Sequence, residues 1–200
     1  MIKDHDGVVC SIASNNLSLI TEGGPHSFCY GDFLSKSYFM QQHLIQVSFD
    51  EYQDSNALNS EDATLLNSAK EAIELSYAPY SRFQVGAAAR LSNGIIVKGS
   101  NQENASFPAG ICAERVLLSI CSSLYPGVPI IDMAISYNNQ IGLSNKPISP
   151  CGVCRQSLTE YENIVNHSIR LILGGTEGKV FIIDKATDLL PLAFSSADMK

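Results

Sequence analysis

The sequence predicts a layered α/β domain of about five strands with helices on both faces. Strand and helix patterns alternate from Ser60 to Ile183, with no internal repeat and no linker between residues 60 and 195. Ile130–Ile135 is a continuous apolar run of the kind that forms a strand buried on both sides. Ala113–Leu124 carries Val116, Leu117, Ile120, Cys121 and Leu124 at the spacing of one apolar helical face.

Residues 1 to about 39 are rich in Ser, Asn and Gly and hold no period for more than a few residues, so they are expected to form an irregular extension. Met40 is expected to lie at or near the native start, and 40–59 to form an arm in which His43–Phe49 alternates like a short strand. Ser60, followed by Glu61 and Asp62, is a candidate N-cap, and Leu65, Leu66, Ala69, Ile73 and Tyr77 then share one face. That helix must stop by Ala78, because Pro79 disfavours helical geometry in the residue before it.

Phe83–Leu91 reads as a strand whose Gly86-Ala87-Ala88-Ala89 centre lets a helix or a ligand come close. Asn93-Gly94 is the turn into a returning strand, Ile95–Val97. Tyr125-Pro126-Gly127 stops the Ala113 helix. Gly152–Tyr161 is a further helix, and Ile169–Leu173 and Lys179–Ile183 are two more strands.

Two hundred residues, 45% hydrophobic and 16% charged, suit one domain with a real core plus a tail. A net charge of -7 and a pI near 5.0 argue against duplex nucleic acid and suit a small neutral or cationic ligand. No apolar run approaches the roughly 18 residues a membrane helix needs. Lys3, Asp4 and Asp6 ahead of the short Val8-Val9-Cys10 patch do not follow a signal peptide's plan, so a reducing cytoplasm is expected. There the six cysteines are read as metal ligands, nucleophiles or small core groups before disulfides.

Two motifs carry the chemistry. Asn101–Arg115 offers Cys112 with Glu114 two residues on, and Pro150–Gln156 offers Cys151 and Cys154. Three thiols leave a tetrahedral zinc one open position for water, the mark of a catalytic site. Each thiol sits at the start of a helix, where the dipole favours thiolate. Three thiolates also give a net negative cluster, which Arg115 is placed to offset by donating to ligand sulfur. Glu114 can reach the open position without binding metal, taking a proton from water and delivering it to a substrate nitrogen.

Four motifs in order, Pro79–Ala88, Asn101–Ala105, Cys112–Arg115 and Pro150–Gln156, resemble the small homotetrameric cytidine deaminases over about Ser60–Phe194. The resemblance implies a three-layer α/β/α catalytic domain at 60–195 with a mixed sheet, one Zn2+ per subunit on Cys112, Cys151 and Cys154, and deamination of cytidine and deoxycytidine in pyrimidine salvage. It implies Glu114 as proton shuttle that also holds the ring nitrogen. Asn101 and Glu103 would bind the ribose, Phe83 would pack on the pyrimidine, and the Ala113 backbone would contact the base. Phe194, in Leu189–Phe194, would close a neighbouring subunit's pocket in a homotetramer with shared sites. Phe107 departs from the tyrosine of many members.

Other readings compete with these roles. His167 as a fourth ligand would make the zinc structural and the protein a binding module, but would leave Glu114, Asn101 and Glu103 unexplained. A blasticidin S deaminase shares the metal motif, although the ribose-facing pair argues against it. For Cys10, Cys29 and Cys121 the reading is small buried groups, since none has a partner at ligand spacing.

Overall fold

The computed structural model describes residues 2–3, 9–10 and 41–199. The chain divides into two compact units, 1–43 and 44–200. In the first, β1 (Ile2–Lys3) pairs antiparallel with β2 (Val9–Cys10), a local pairing that the aperiodic sequence did not signal. The rest of the expected extension, including the proposed start at Met40, lies outside the described residues.

In the second unit a mixed sheet of six strands runs in the order β3-β8-β7-β6-β4-β5. The strands are β3 (Asp50–Tyr52), β4 (Phe83–Leu91), β5 (Ile96–Ser100), β6 (Ile130–Asn139), β7 (Arg170–Gly174) and β8 (Val180–Ile183). Only β6 and β7 are parallel; every other neighbouring pair is antiparallel. The strand beyond the expected five is β3, which pairs with β8 at the edge. The alternation of His43–Phe49 misplaced it: residues 41–49 are exposed without regular structure, and pairing starts at Asp50, where β8 first offers a partner.

Helix α1 (Ser60–Ala72) covers one face of the sheet. Its cap is Asn59, not Ser60: the Asn59 side chain accepts from the Asp62 N–H at 2.9 Å and donates to the Asp62 carboxylate. Leu65 and Leu66 pack on Ala88, Ala134 and Ile172, and burying each contributes about 2 kcal/mol. Helices α2 (Ala113–Leu124) and α3 (Gly152–Val165) cover the other face, where Leu117, Cys121 and Leu158 meet Ala87, Met133 and Leu171. The expected three layers are present. Two residues placed on apolar faces are instead exposed. Tyr77 follows the 3-10 turn Ile73–Leu75 that ends the first helix, and Leu124 is the last residue of α2.

The small centre of β4 serves helix packing. A side chain at Gly86 would stand 2.1 Å from the Ala69 carbonyl oxygen of α1. Across the hairpin Gly99 does the same for α2, 2.8 Å from the Leu117 nitrogen. Both helices therefore lie close on the sheet, and α2 is thereby fixed with its N-terminus at the end of β5 that leads into the Asn101 loop.

Candidate metal centre and cleft

Cys112 and Cys151 are the N-cap residues of α2 and α3, both with extended backbone, and neither side chain makes a capping hydrogen bond to the first-turn N–H groups. The contrast with Asn59 is informative. A Ser or Asp in either place would satisfy an orphan N–H of the first turn, worth about 1 kcal/mol. A thiol leaves those N–H groups aimed outward and its own sulfur free. Cys154 sits one turn into α3 and is buried.

The three sulfurs converge. Cys112 and Cys151 Sγ are 3.7 Å apart, Cys151 and Cys154 Sγ 3.4 Å, and all three lie within 4.8 Å of one another. A tetrahedral zinc with bonds of about 2.3 Å separates its sulfur ligands by about 3.8 Å, so this donor set fits that ion. The neighbouring Cys154 thiol lowers Cys112 to about 6, with Cys151 and Arg115's charge helping, and Cys154 is pushed up in turn. The shift at Cys112 is toward thiolate, the form that binds metal. His167 does not close the site. It follows the far end of α3, with Nδ1 2.7 Å from the Ser168 carbonyl. Cys121 lies at 0% exposure in the core, as the sequence indicated.

Glu114, in the first turn of α2, is 5% exposed, and burial raises its carboxyl above the usual range. Beside the thiols opens a cleft of about 510 Å³, large enough for a nucleoside, lined by Cys112, Asn101, Glu103, Tyr80 and Phe107 among others. Its wall is built by backbone pairing. The Gln102 and Ile111 N–H groups donate to each other's carbonyls, each at 2.9 Å, and Glu103 N–H donates to the Tyr77 carbonyl. This pairing brings the Asn101 segment beside Cys112.

The side chains of that segment are partly committed. Asn101 Oδ1 accepts from Ser76 Oγ and from the Val85 N–H at 2.7 Å, and its amide donates to the Phe83 carbonyl at 2.9 Å. One amide hydrogen remains. Glu103 Oε2 accepts the Tyr80 N–H at 2.8 Å and the Ser81 N–H at 3.3 Å, leaving Oε1 without an N–H donor among the described residues, and the Ser81 hydroxyl, followed by these two N–H groups, lowers its pKa. The Pro79–Phe83 turn that presents those N–H groups contains Arg82 in the left-handed region, φ 56°.

Not every expected residue gathers here. Phe83 stacks on Tyr137, ring centroids 4.9 Å apart. Phe194 and Arg115 line a second groove, between α2 and α3. Arg115 influences Cys112 through its charge and makes no hydrogen bond to sulfur among the described residues. Ala113, buried, lies between Cys112 and Glu114. Ser76, Tyr80 and Ser81 also build the site: Tyr80 and Ser81 lie inside the Pro79–Ala88 motif, whereas Ser76, 25 residues from its partner Asn101, carries no local sequence signal.

An α/β/α sandwich with three thiols at two helix N-termini, a buried glutamate beside them and a polar-walled cleft defines the zinc-dependent deaminase class. Residues 59–168 match the cytidine and deoxycytidylate deaminase zinc-binding region. The cytidine deaminase of Halalkalibacterium halodurans is 36% identical over 135 residues, 68% of this chain and 95% of the relative. That of Sporosarcina psychrophila is 35% identical over 68% of this chain and 92% of the relative. The crystal structure of cytidine deaminase from Burkholderia pseudomallei superposes with a TM-score of 0.58 and 35% identity, covering 68% of this chain and 100% of that one. The chain belongs to the cytidine and deoxycytidylate deaminase family, and its cofactor is zinc.

Proposed function

We propose that this protein hydrolyses cytidine and deoxycytidine to uridine and deoxyuridine, releasing ammonia, within pyrimidine salvage. The observation that carries the reading is Glu114, a buried carboxyl beside three converged thiols, of which Cys112 lines a cleft walled by Asn101 and Glu103. Cys112, Cys151 and Cys154 hold the zinc, which when bound supplies a Lewis acid that makes water a nucleophile at neutral pH. Glu114 accepts a proton from the attacking water, holds and protonates the ring nitrogen next to C4, and passes a proton to the departing amine. One water enters and one ammonia leaves. Glu103 Oε1 and the spare Asn101 hydrogen take the ribose hydroxyls, and the Ala113 backbone meets the base.

Phe83, one face stacked on Tyr137, packs on the pyrimidine with the other, and Phe194 belongs to a neighbouring subunit's cleft in a homotetramer. Phe194 lies outside its own chain's cleft and is 60% exposed, which supports the shared-site reading. The catalytic domain is taken as 60–195 in a cytoplasmic protein, with the preceding residues as arm and extension. An ultraviolet assay with cytidine, deoxycytidine and blasticidin S, each with a chelator control, tests the activity. Chelator-sensitive loss of the cytidine spectrum is expected, and turnover of blasticidin S alone, or of nothing, overturns the proposal.

A further inference from the structure

The second metal motif ends in Arg155-Gln156, and neither residue lines the cleft. Arg155 Nε donates to the Pro150 carbonyl at 2.9 Å and another guanidinium nitrogen donates to the Leu189 carbonyl at 2.9 Å. Gln156 donates its amide to the Phe194 carbonyl at 2.9 Å. Two successive residues of α3 thus grip the C-terminal segment at both its ends. Between the grips Leu192 lies in the left-handed region at φ 58° and is 93% exposed, so no packing of its own side chain holds that bend. Pro150 is the residue before Cys151, so the same guanidinium that holds the segment also fixes the backbone entering a metal ligand.

We propose that Arg155 and Gln156 are positioning residues: a clamp that fastens residues 189–194 to the metal-bearing helix, Arg155 setting the Cys151 backbone and Gln156 setting Phe194. The clamp ties two places that spacing alone does not relate, the start of α3 and a tail 34 to 38 residues later. A planar guanidinium spans two carbonyls at once, which a single ammonium does not reproduce, so lysine is a poor substitute. The kinetic consequence rests on the cytidine deaminase reading; the structural consequence does not.

The test uses zinc-loaded full-length protein and the variants Gln156→Ala, Arg155→Met and Arg155→Lys. In hydrogen exchange, amides of 190–196 should lose protection in all three while those of β6 and β7 hold. Zinc release to a chromogenic chelator should quicken about tenfold in both Arg155 variants and stay within twofold in Gln156→Ala. With cytidine, Gln156→Ala should raise KM about fivefold, the worth of one hydrogen bond, at nearly constant kcat. Unchanged exchange in 190–196, or zinc retention restored by Arg155→Lys, overturns the clamp. Exchange and zinc release that move as stated, in a protein that does not deaminate cytidine, uphold the clamp and sink the activity instead.

Discussion

Glu114 shows how much one carboxyl owes to its place in the chain. Two residues from Cys112 and in the first turn of α2, it is carried by the helix to the Cys154 thiol, and Cys112 keeps the cap position for sulfur. Burial raises its pKa. A divalent ion close by would pull the opposite way, leaving a group able to gain and lose a proton during one turnover. Glu114→Gln keeps the shape and removes the shuttle. It should retain one zinc per subunit and a melting temperature within about 3 °C of the parent. It should lose at least about 100-fold in kcat, the usual worth of a general acid-base group. Metal analysis beside the cytidine assay checks this, and turnover above a few per cent with zinc in place removes Glu114 from its role. Asn101 makes the complementary point. Three of its four hydrogen-bonding capacities hold Ser76 and the start of β4, so its substitution would mix structure with the proposed binding role, and Glu103 is the cleaner probe of the proposed ribose contact.

At the scale of elements, helix α1 against β4 is the contact most dependent on a single missing side chain. Gly86→Ala would place a methyl 2.1 Å from the Ala69 carbonyl and 2.6 Å from the Ile73 nitrogen, both backbone atoms that cannot turn aside. Helix α1 must then lift from the sheet, loosening Leu65 and Leu66 as well. A loss of at least about 3 kcal/mol is expected. Gly94→Ala is the control: it meets no atom within 4 Å, but its φ of 84° should cost about 1 kcal/mol. Urea unfolding of both should rank them in that order, and equal losses would refute the close-packing argument. The elements themselves were legible. Ala113–Leu124 matched its helix end to end, because a stop signal and an apolar face agreed. Asn59 and β3 were not, for different reasons. Both Asn59 and Ser60 are good caps, and only the turn of the backbone chooses between them. An edge strand of three residues is too short to show a period. The thiols and Glu114 could be read because they lie at fixed spacing within two short motifs, whereas Tyr137 under Phe83 and the tail under Gln156 are tertiary pairings that leave no local trace.

Across the whole unit, an ion network ties the first helix to the sheet's centre on the face away from the three thiols. Asp62 receives two hydrogen bonds from Arg170, each 2.7 Å, although 108 residues separate them. Arg170 also reaches Asp132, which in turn accepts from Arg90, so α1, β4, β6 and β7 are joined at one place. Both carboxylates are nearly buried, at 3% and 5% exposure, while Arg170 keeps 29%. Breaking a fully buried pair costs about 3–5 kcal/mol, and solvent at Arg170 brings the expectation for Asp62→Asn to about 2 kcal/mol. The sign with pH follows from the direction of the shift. The Arg170 hydrogen bonds lower the Asp62 pKa below its ordinary 3.8, so the folded state favours the carboxylate more than the unfolded chain does. That stabilisation is complete above the unfolded value and is lost as pH falls through the lower, folded one. The gap between parent and Asp62→Asn should therefore be constant from pH 7 to about pH 5 and shrink below about pH 4. Urea titrations at pH 7, 5 and 3 measure it. A gap that stays the same at pH 3 would mean that the asparagine loses packing or capping at Asn59, and that the charge on Asp62 contributes nothing to holding α1 against the sheet.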